Sequence, residues 1–395
     1  MSLCMTFQTE TGEEHSKMRI LVVASCYLPH PGGLETVVHE VSKQWQLAGH
    51  AITIVTNRYP RTLPKREEID NISVQRLHFL YPQLAYLESG RVDLWLAGWV
   101  YFPLTFVQLL ILTLRFRPDV VNLHYLGSPG FFLWILHHLV RFRLVVSLHG
   151  GDVDGEPKRS RFKRWLFGAL LGRAERVTTC SRALLDQAIT LVPEITPKAH
   201  VIHNGVDVEL FANARPYCYE RPYLLGVGKL EHHKGFDVLL AAFAQVEQRF
   251  PEVDLLIAGD GHERAALQSQ IQEVRLNGRV HLLGAVNREQ VASLMRGSLA
   301  FVIPSRREPF GIVALEAMAA GRPIIATRAG GLTEALAGAE VVWTQPGDVD
   351  SLKDGLCVGI GKNNQSQATV ERNQQLAAQF DWATIANRYI TVFSR

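Results

Sequence analysis

Two successive Rossmann-like α/β domains, each built on a parallel sheet, are the fold class predicted for this 395-residue chain. Three observations predict it. The length exceeds what one ordinary core supports and suits two domains of somewhat under 200 residues. Short β-branched runs alternate with helical stretches almost throughout, the pattern of βαβ units. That alternation stops at a segment carrying two prolines and no periodicity, residues 207–222, and then starts afresh.

In the first half the expected strands are Arg19–Ser25, Ala51–Thr56, Val120–His124, Leu144–His149 and Arg176–Cys180. In the second half they are Tyr223–Val227, Asp254–Ala258, Val280–Leu283, Leu299–Ile303 and Pro323–Thr327, each leading into a Gly-containing turn and a helix. The expected organisation is a disordered polar tail over 1–17, a first domain over 18–206, a linker over 207–222 and a second domain over 223–373. A final helix within 374–395 follows the completed second sheet and is expected to pack back onto the first domain.

Composition narrows the function. The chain is 47% hydrophobic and 20% charged, with a net charge of +3, which gives no argument for nucleic acid as a partner. Five scattered cysteines, Cys4, Cys26, Cys180, Cys218 and Cys357, form no CxxC or Cys/His grouping. Neither a disulfide framework nor a zinc site follows, and a reducing cytoplasm fits. Val23-Ala24-Ser25-Cys26 matches a lipoprotein cleavage pattern, but its short apolar run continues into a Gly-rich loop and reads as a buried first strand. Leu94 to Leu114 is 21 residues without a charge. That satisfies the length of a membrane span, yet a span would cut the first sheet, and Gly98, Pro103 and Gln108 weaken it. A buried core helix is the expectation, with membrane contact as the alternative.

The strongest motif is Glu308-Pro-Phe-Gly-Ile-Val-Ala-Leu-Glu316. Glu308 falls in the loop at the carboxyl end of a buried strand, where ligands bind open α/β sheets. Phe310, Gly311 and Ile312 offer free backbone N–H groups at the start of a helix over Gly311–Ala320, an anion site. Glu316, two turns in, can accept hydrogen bonds from vicinal hydroxyls such as those of a ribose. A dipole-favouring carboxylate and a solvent-facing glutamate would explain either residue alone, but not the pair with the glycine.

Gly226-Val-Gly228-Lys229 followed by Lys234-Gly235 comes second. A lysine at a helix start is disfavoured by the dipole, so Lys234 suggests an anion held nearby. Two ammonium groups beside a diphosphate would stabilise charge building on a leaving nucleotide. Third is Pro31-Gly32-Gly33-Leu34-Glu35, where glycines permit close backbone approach to a ligand. The full GxGxxG fingerprint is absent and no acidic residue ends the second strand, which argues against NAD. Fourth is His149-Gly150-Gly151-Asp152, which places a polar His149 at a strand's carboxyl end. Asp152 reads either as an acceptor-side group or as a helix cap.

In this order, Gly-Gly-x-Glu, His-Gly-Gly-Asp, Asn204-Gly205-Val206-Asp207, Gly-Lys-Leu with Lys-Gly, Gly259-Asp260-Gly261 and Glu-x7-Glu closely resemble the retaining glycosyltransferase family 4, of GT-B fold, over about residues 18–393. The resemblance implies two domains facing a cleft, with a nucleotide-diphosphate sugar as donor substrate, retention of anomeric configuration, and no cofactor or metal. It implies that Glu308 holds donor-sugar hydroxyls, with Phe310, Gly311 and Ile312 beside it. It further implies that Glu316 binds the ribose, Lys229 and Lys234 the diphosphate, and His149 the sugar, under a loop formed by Gly32 and Gly33. The family usually carries Arg at the position of Lys229, and Lys lacks the bidentate fork. Gly330-Gly331-Leu-Thr-Glu334 resembles a donor-side loop of the family.

The expected reaction is transfer of a hexosyl group to a sugar, lipid-linked or polysaccharide-precursor acceptor in the cytoplasm. Asp152-Val-Asp154 is read as a flank of the His149 loop, not as a metal pair. The basic run Lys158, Arg159, Arg161, Lys163 and Arg164 before Trp165-Leu166-Phe167 suggests peripheral contact with an anionic membrane, against the plainer reading of a solvated helix face. Two other classes share such folds: an epimerase or phosphorylase, and an inactive sugar-nucleotide-binding protein.

Overall fold

A computed structural model describes residues 17–30, 32–361 and 367–394. The expected tail, apart from Lys17, and Pro31 of the first glycine loop lie outside the described residues.

The first domain is an eight-stranded sheet of β1 (Arg19–Ala24), β2 (Ala51–Asn57), β3 (Arg66–Ile69), β4 (Ile72–Leu77), β5 (Val120–His124), β6 (Arg143–Leu148), β7 (Arg176–Thr179) and β8 (Ala199–Val201), ordered β3-β4-β2-β1-β5-β6-β7-β8. All neighbours pair in parallel except β3, which runs antiparallel to β4 at the edge. Residues 20–24 of β1 are all fully buried, because helices cover both faces. Leu21 and Val23 enter one hydrophobic cluster, while Ile20, Val22 and Ala24 enter the other, as period-2 alternation requires. Val23-Ala24 is thus the carboxyl end of a fully buried core strand.

The second sheet has six parallel strands: β9 (Tyr223–Val227), β10 (Asp254–Ala258), β11 (Val280–Gly284), β12 (Ala300–Ile303), β13 (Ile324–Thr327) and β14 (Val341–Thr344). Their order is β11-β10-β9-β12-β13-β14. The ten strands expected from the sequence are all present to within a residue or so at their ends. Of the four others, β3, β8 and β14 are short edge strands that carry too little apolar periodicity to stand out, whereas β4, Ile72-Ser-Val-Gln-Arg-Leu77, lies inside the sheet and alternates buried with exposed residues over Ile72–Val74.

Three expectations change. The linker contains a helix, Val208–Asn213, capped by Asp207, whose carboxylate accepts from Leu210 N–H at 3.0 Å. The final helix is two, Gln367–Ala378 and Trp382–Ser394. Only the second packs on the first domain. There Trp45 of the helix Gly33–Leu47 donates to Ala386 O at 3.0 Å and meets the rings of Tyr389 and Phe393. The chain therefore crosses between domains twice, and the crossings are bridged where Val206 N–H donates to Phe380 O at 2.9 Å.

The third change concerns the uncharged stretch. It forms the helix Val92–Phe116, but not as a buried core helix. Gly98, Thr105, Leu109 and Thr113 face inward. Thr105 Oγ1 donates to His78 O at 2.7 Å, and Gly98 fits against the backbone of Tyr81 and Pro82. Small residues at 98, 105 and 113 let the helix lie close, with Leu109 buried and Phe102, Phe106, Leu110, Leu112 and Phe116 packed along its flanks, while Leu96, Trp99, Val100, Leu104, Val107 and Leu114 stay outside. In a run that is apolar all round, composition does not say which side is which.

Candidate active site

The floor of the site is the loop between β12 and the helix Ile312–Ala319. Glu308 is buried there, with Lys234 Nζ 2.7 Å and Ser305 Oγ 3.2 Å from its Oε2. Lys234 ends a short turn, His232–Lys234, and Gly235 follows with φ 72°. A side chain at 235 would collide with Pro304 O, so the glycine is needed for the two loops to close on each other. Arg306 braces the arrangement: its guanidinium grips Asp237 through two bonds of 2.6 Å and donates to His232 O at 2.8 Å. Burial and the adjacent Lys234 ammonium hold His233 below the usual imidazole range.

Gly311 has φ 90° and starts the helix Ile312–Ala319, so the turn favours glycine. Phe310 is buried and stacks on His203 with centroids 5.1 Å apart. Glu316 is buried one and a half turns into the helix. Burial pushes its carboxyl up to about 7, partly offset by the nearby Arg288. Behind this loop, Gly331 N–H donates to Glu308 O at 2.9 Å. The Gly330-Gly331 segment thus supports the backbone of Glu308, since a side chain at either glycine would meet carbonyl oxygens of Glu308 or Pro309.

The first domain supplies the facing wall. A Cβ added at Gly32 would overlap the Glu35 carboxylate and lie 3.5 Å from Lys229 Nζ, so Gly32, Glu35 and Lys229 converge across the cleft. Cys26 lies beside this group, and its thiol is raised by burial and by Glu35 against the opposing pull of Lys229. A Cβ at Gly33 would lie 3.6 Å from Ile312 Cδ1 of the other domain. His149, at the end of β6, shares a 3.0 Å hydrogen bond between its Nε2 and His124 Nδ1. Burial lowers His149 to about 4 and holds His124 well below the usual range, so both rings are neutral at pH 7.

Asp152 is fully buried, and its carboxylate accepts from the backbone N–H of His149 at 3.0 Å and of Gly150 at 2.9 Å. It shapes the loop that carries His149, as a cap does, and presents no surface to an acceptor. Burial still raises it to about 6, against these backbone bonds. Asp154 of the Asp-Val-Asp run pairs with Lys158 at 3.9 Å. Among the described residues, no group of three or more His, Cys, Asp or Glu could hold a metal ion.

Contacts bridge the two walls. Gly150, with φ 119°, sits against Pro309 of the Glu308 loop, and a Cβ there would be 2.9 Å from Pro309 Cβ. Arg288 Nη1 pairs with Glu40 Oε1 at 2.5 Å. Glu334 accepts from Arg182 N–H at 2.7 Å and Ala183 N–H at 3.0 Å, the exposed start of the helix Arg182–Leu191, and pairs with His203 at 3.5 Å. Of these, Glu40, Arg288, Asp237, Arg306 and His203 carried no sequence signal, because each acts on a partner tens to hundreds of positions away; Ser305, three residues before Glu308, is a common residue type that no pattern singles out. The motif residues Glu308, Lys234, Lys229, Gly32, Gly33, Phe310, Gly311, Ile312, Glu316 and His149 all come together around one cleft.

Two parallel-sheet domains with their carboxyl edges facing across such a cleft define the GT-B class of proteins. A family model described as "Glycosyltransferase Family 4" matches residues 31–210, and one described as "Glycosyl transferases group 1" matches residues 218–375. The chain belongs to glycosyltransferase family 4, and it is a glycosyltransferase. The glycogen synthase of Mycobacterium tuberculosis is 27% identical over 413 aligned residues, covering 95% of this chain and 94% of that one. The phosphatidyl-myo-inositol mannosyltransferase of the same organism is 26% identical over 396 residues, covering 95% and 96%. Among solved structures, Anabaena HepE in complex with UDP and glucose superposes with a TM-score of 0.74 at 22% identity, covering 95% and 99%.

Proposed function

We propose that this chain is a retaining, metal-independent hexosyltransferase using a nucleotide-diphosphate sugar. The observation that carries the reading is the convergence of Lys229 and Lys234 on one cleft together with Glu308 and the Gly32-Gly33 loop. Two ammonium groups can take the role of a divalent cation beside a diphosphate. HepE, a structural neighbour, binds UDP and glucose, which supports a nucleotide sugar as donor.

In this reading Glu308 fixes donor-sugar hydroxyls, Glu316 the ribose, and the Phe310–Ile312 backbone the phosphate side. Lys234 then moves from neutralising Glu308 to serving both Glu308 and the departing phosphate. The bond from the anomeric carbon to the phosphate oxygen breaks, and the acceptor oxygen bonds to the same face of that carbon. The acceptor's hydroxyl proton passes to the released phosphate. No protein nucleophile is needed. Neutral His149 can hydrogen-bond the sugar without adding charge, and closure excludes water.

The acceptor binds the first domain and is a sugar, a lipid-linked sugar or a polysaccharide precursor. A relative named for phosphatidyl-myo-inositol supports the lipid-linked option. Peripheral contact with an anionic membrane from the cytoplasmic side fits such an acceptor, and the run of cations at 158–164 supports it. A thermal-shift screen of UDP-, GDP- and ADP-sugars identifies the donor. Radiolabelled donor with and without acceptor then separates transfer from epimerisation or phosphorolysis. Stabilisation by no sugar nucleotide, or conversion of donor without acceptor, would overturn the reading.

A further inference from the structure

We propose that the outer face of the helix Val92–Phe116 lies in the interface of an anionic lipid bilayer and seats the first domain on it. Leu96, Trp99, Val100, Leu104, Val107 and Leu114 are between 49% and 60% exposed. At 3.6 residues per turn they fall within an arc of roughly 140°. A stripe of large aliphatic and aromatic side chains this long exceeds the scattered apolar residues that a soluble surface carries.

The face continues sideways across two more helices. Phe102 meets Phe131 of the helix Gly127–Leu139 at 5.8 Å, and Phe131 meets Phe162 of the helix Arg161–Arg173 at 5.7 Å. Trp165 completes the row against Phe162 at 5.7 Å and Trp134 at 5.0 Å. In the Trp165-Leu166-Phe167 triplet only Trp165 reaches the surface, at 49% exposure, since Leu166 and Phe167 are core. The basic run alone is therefore a minor part of the surface, and the long helix is its main apolar element.

Charge selects the partner. Segments 92–118, 127–143 and 157–174, which build these three helices, contain ten Lys or Arg and one acidic residue, Asp93, which pairs with Arg91 at 2.9 Å. A protein partner or a second copy would need an equally large apolar patch of opposite charge. An anionic leaflet supplies both properties together, and tryptophans suit its headgroup level. Gly98, Thr105, Leu109 and Thr113 hold the inner side of the helix to the sheet, so it lies along the interface and does not cross.

The orientation suits the site. Strand β4 ends at the carboxyl edge of the sheet and β5 begins at the opposite edge, so the Trp95 and Trp99 end of the helix lies toward the cleft. A pocket lined by Tyr81, Leu126, Gly127, Ser128, Lys163 and Leu166 opens between this face and the cleft edge, where Gly127 touches Ser25. The inference deepens the proposal of a membrane-delivered acceptor and rests on it for its purpose, but vesicle binding and donor binding are measured separately.

The test is flotation of the full chain with phosphatidylcholine vesicles and with vesicles containing about one third phosphatidylglycerol. The paired substitution Trp99→Glu and Val107→Glu is expected to lower partitioning into the anionic vesicles at least about tenfold. UDP-sugar thermal shifts and the far-UV spectrum should stay as in the unmodified chain, because both residues are exposed. Raising NaCl from about 0.05 M to about 0.5 M should also weaken binding. Brominated lipid should quench tryptophan fluorescence in the unmodified chain. The inference is overturned if the unmodified chain stays unbound, if the paired variant binds equally, or if bound protein resists alkaline carbonate as a spanning helix would. It is also overturned if the variant abolishes a dimer while vesicles are ignored. Intact vesicle binding without any response to a sugar nucleotide would leave it standing while defeating the donor assignment.

Discussion

Lys234 Nζ lies 2.7 Å from Oε2 of Glu308, joining a turn after β9 to the loop after β12 across the floor of the cleft. Each holds the other in place, and in the proposed reading a donor would meet both. Removing one leaves a buried charge unpaired, so their effects on turnover are coupled.

Glu308→Gln and Lys234→Ala are each expected to lower kcat at least about 100-fold, the scale of losing one transition-state contact. The double variant should be much less than 10⁴-fold impaired. Steady-state kinetics with the donor found by thermal shift checks this, with a melting curve for each variant. Rates near the unmodified level in either single variant would remove the pair from the site.

Transfer is expected to proceed undiminished in excess EDTA if, as proposed, Lys229 and Lys234 offset the diphosphate. Activity lost to EDTA and restored by Mg²⁺ or Mn²⁺ would reverse this.

Glu316 should leave a mark on the pH dependence of stability. Its folded pKa of about 7 lies above the ~4.3 of an unfolded glutamate, so the folded state holds the proton more tightly. Its contribution is full below the unfolded value and is lost as pH rises through about 7. Glu316→Gln cannot ionise. The variant's Tm relative to the unmodified chain should therefore climb between about pH 4.5 and about pH 7 and level off above. A difference independent of pH would show that the carboxyl ionises freely.

Gly150→Ala should block closure. The residue has φ 119°, a region costly for alanine, and its new methyl would strike Pro309 of the opposite domain. We expect kcat/KM to fall about tenfold or more, with a larger radius of gyration in solution scattering and a Tm lowered by a few degrees through the local backbone strain. Full activity would mean that this contact is absent in the working conformation.

Glu334→Ala removes the acceptor for Arg182 and Ala183 N–H and the partner of His203. The same scattering measurement should show a more open molecule, with a higher donor KM. An unchanged radius and KM would assign Glu334 to local support alone.

Much of this was legible before any coordinates. The buried strands of both sheets announced themselves because a parallel strand covered on both faces must be apolar along its length, as Ile20–Ala24 is. The loops around Glu308, Lys234 and Gly33 were legible because phosphate and sugar chemistry asks for few residue types at strand ends. Edge strands such as β3, with sequence Arg-Glu-Glu-Ile, bury one side at most and gave no pattern. The Arg288–Glu40 and Glu334–Arg182 contacts were invisible, since nothing local in a surface arginine or glutamate names a partner in another domain. Asp152 read equally as a cap or as a ligand. Only its geometry, facing back to its own loop, separates the two.

The return of Trp382–Ser394 to the first domain has a consequence for biosynthesis. Tyr389, Ile390 and Phe393 fill the hydrophobic cluster beneath Ile20, Val22 and Trp45, a strand and helix made long before them. The helix Gly33–Leu47 covers only part of that face, and the rest stays open until Trp382–Ser394 has been made, so the first domain cannot complete its core ahead of the second. Nascent chains should remain chaperone-dependent until synthesis nears residue 394, and a stop codon before Trp382 should aggregate the amino-terminal half it never reaches.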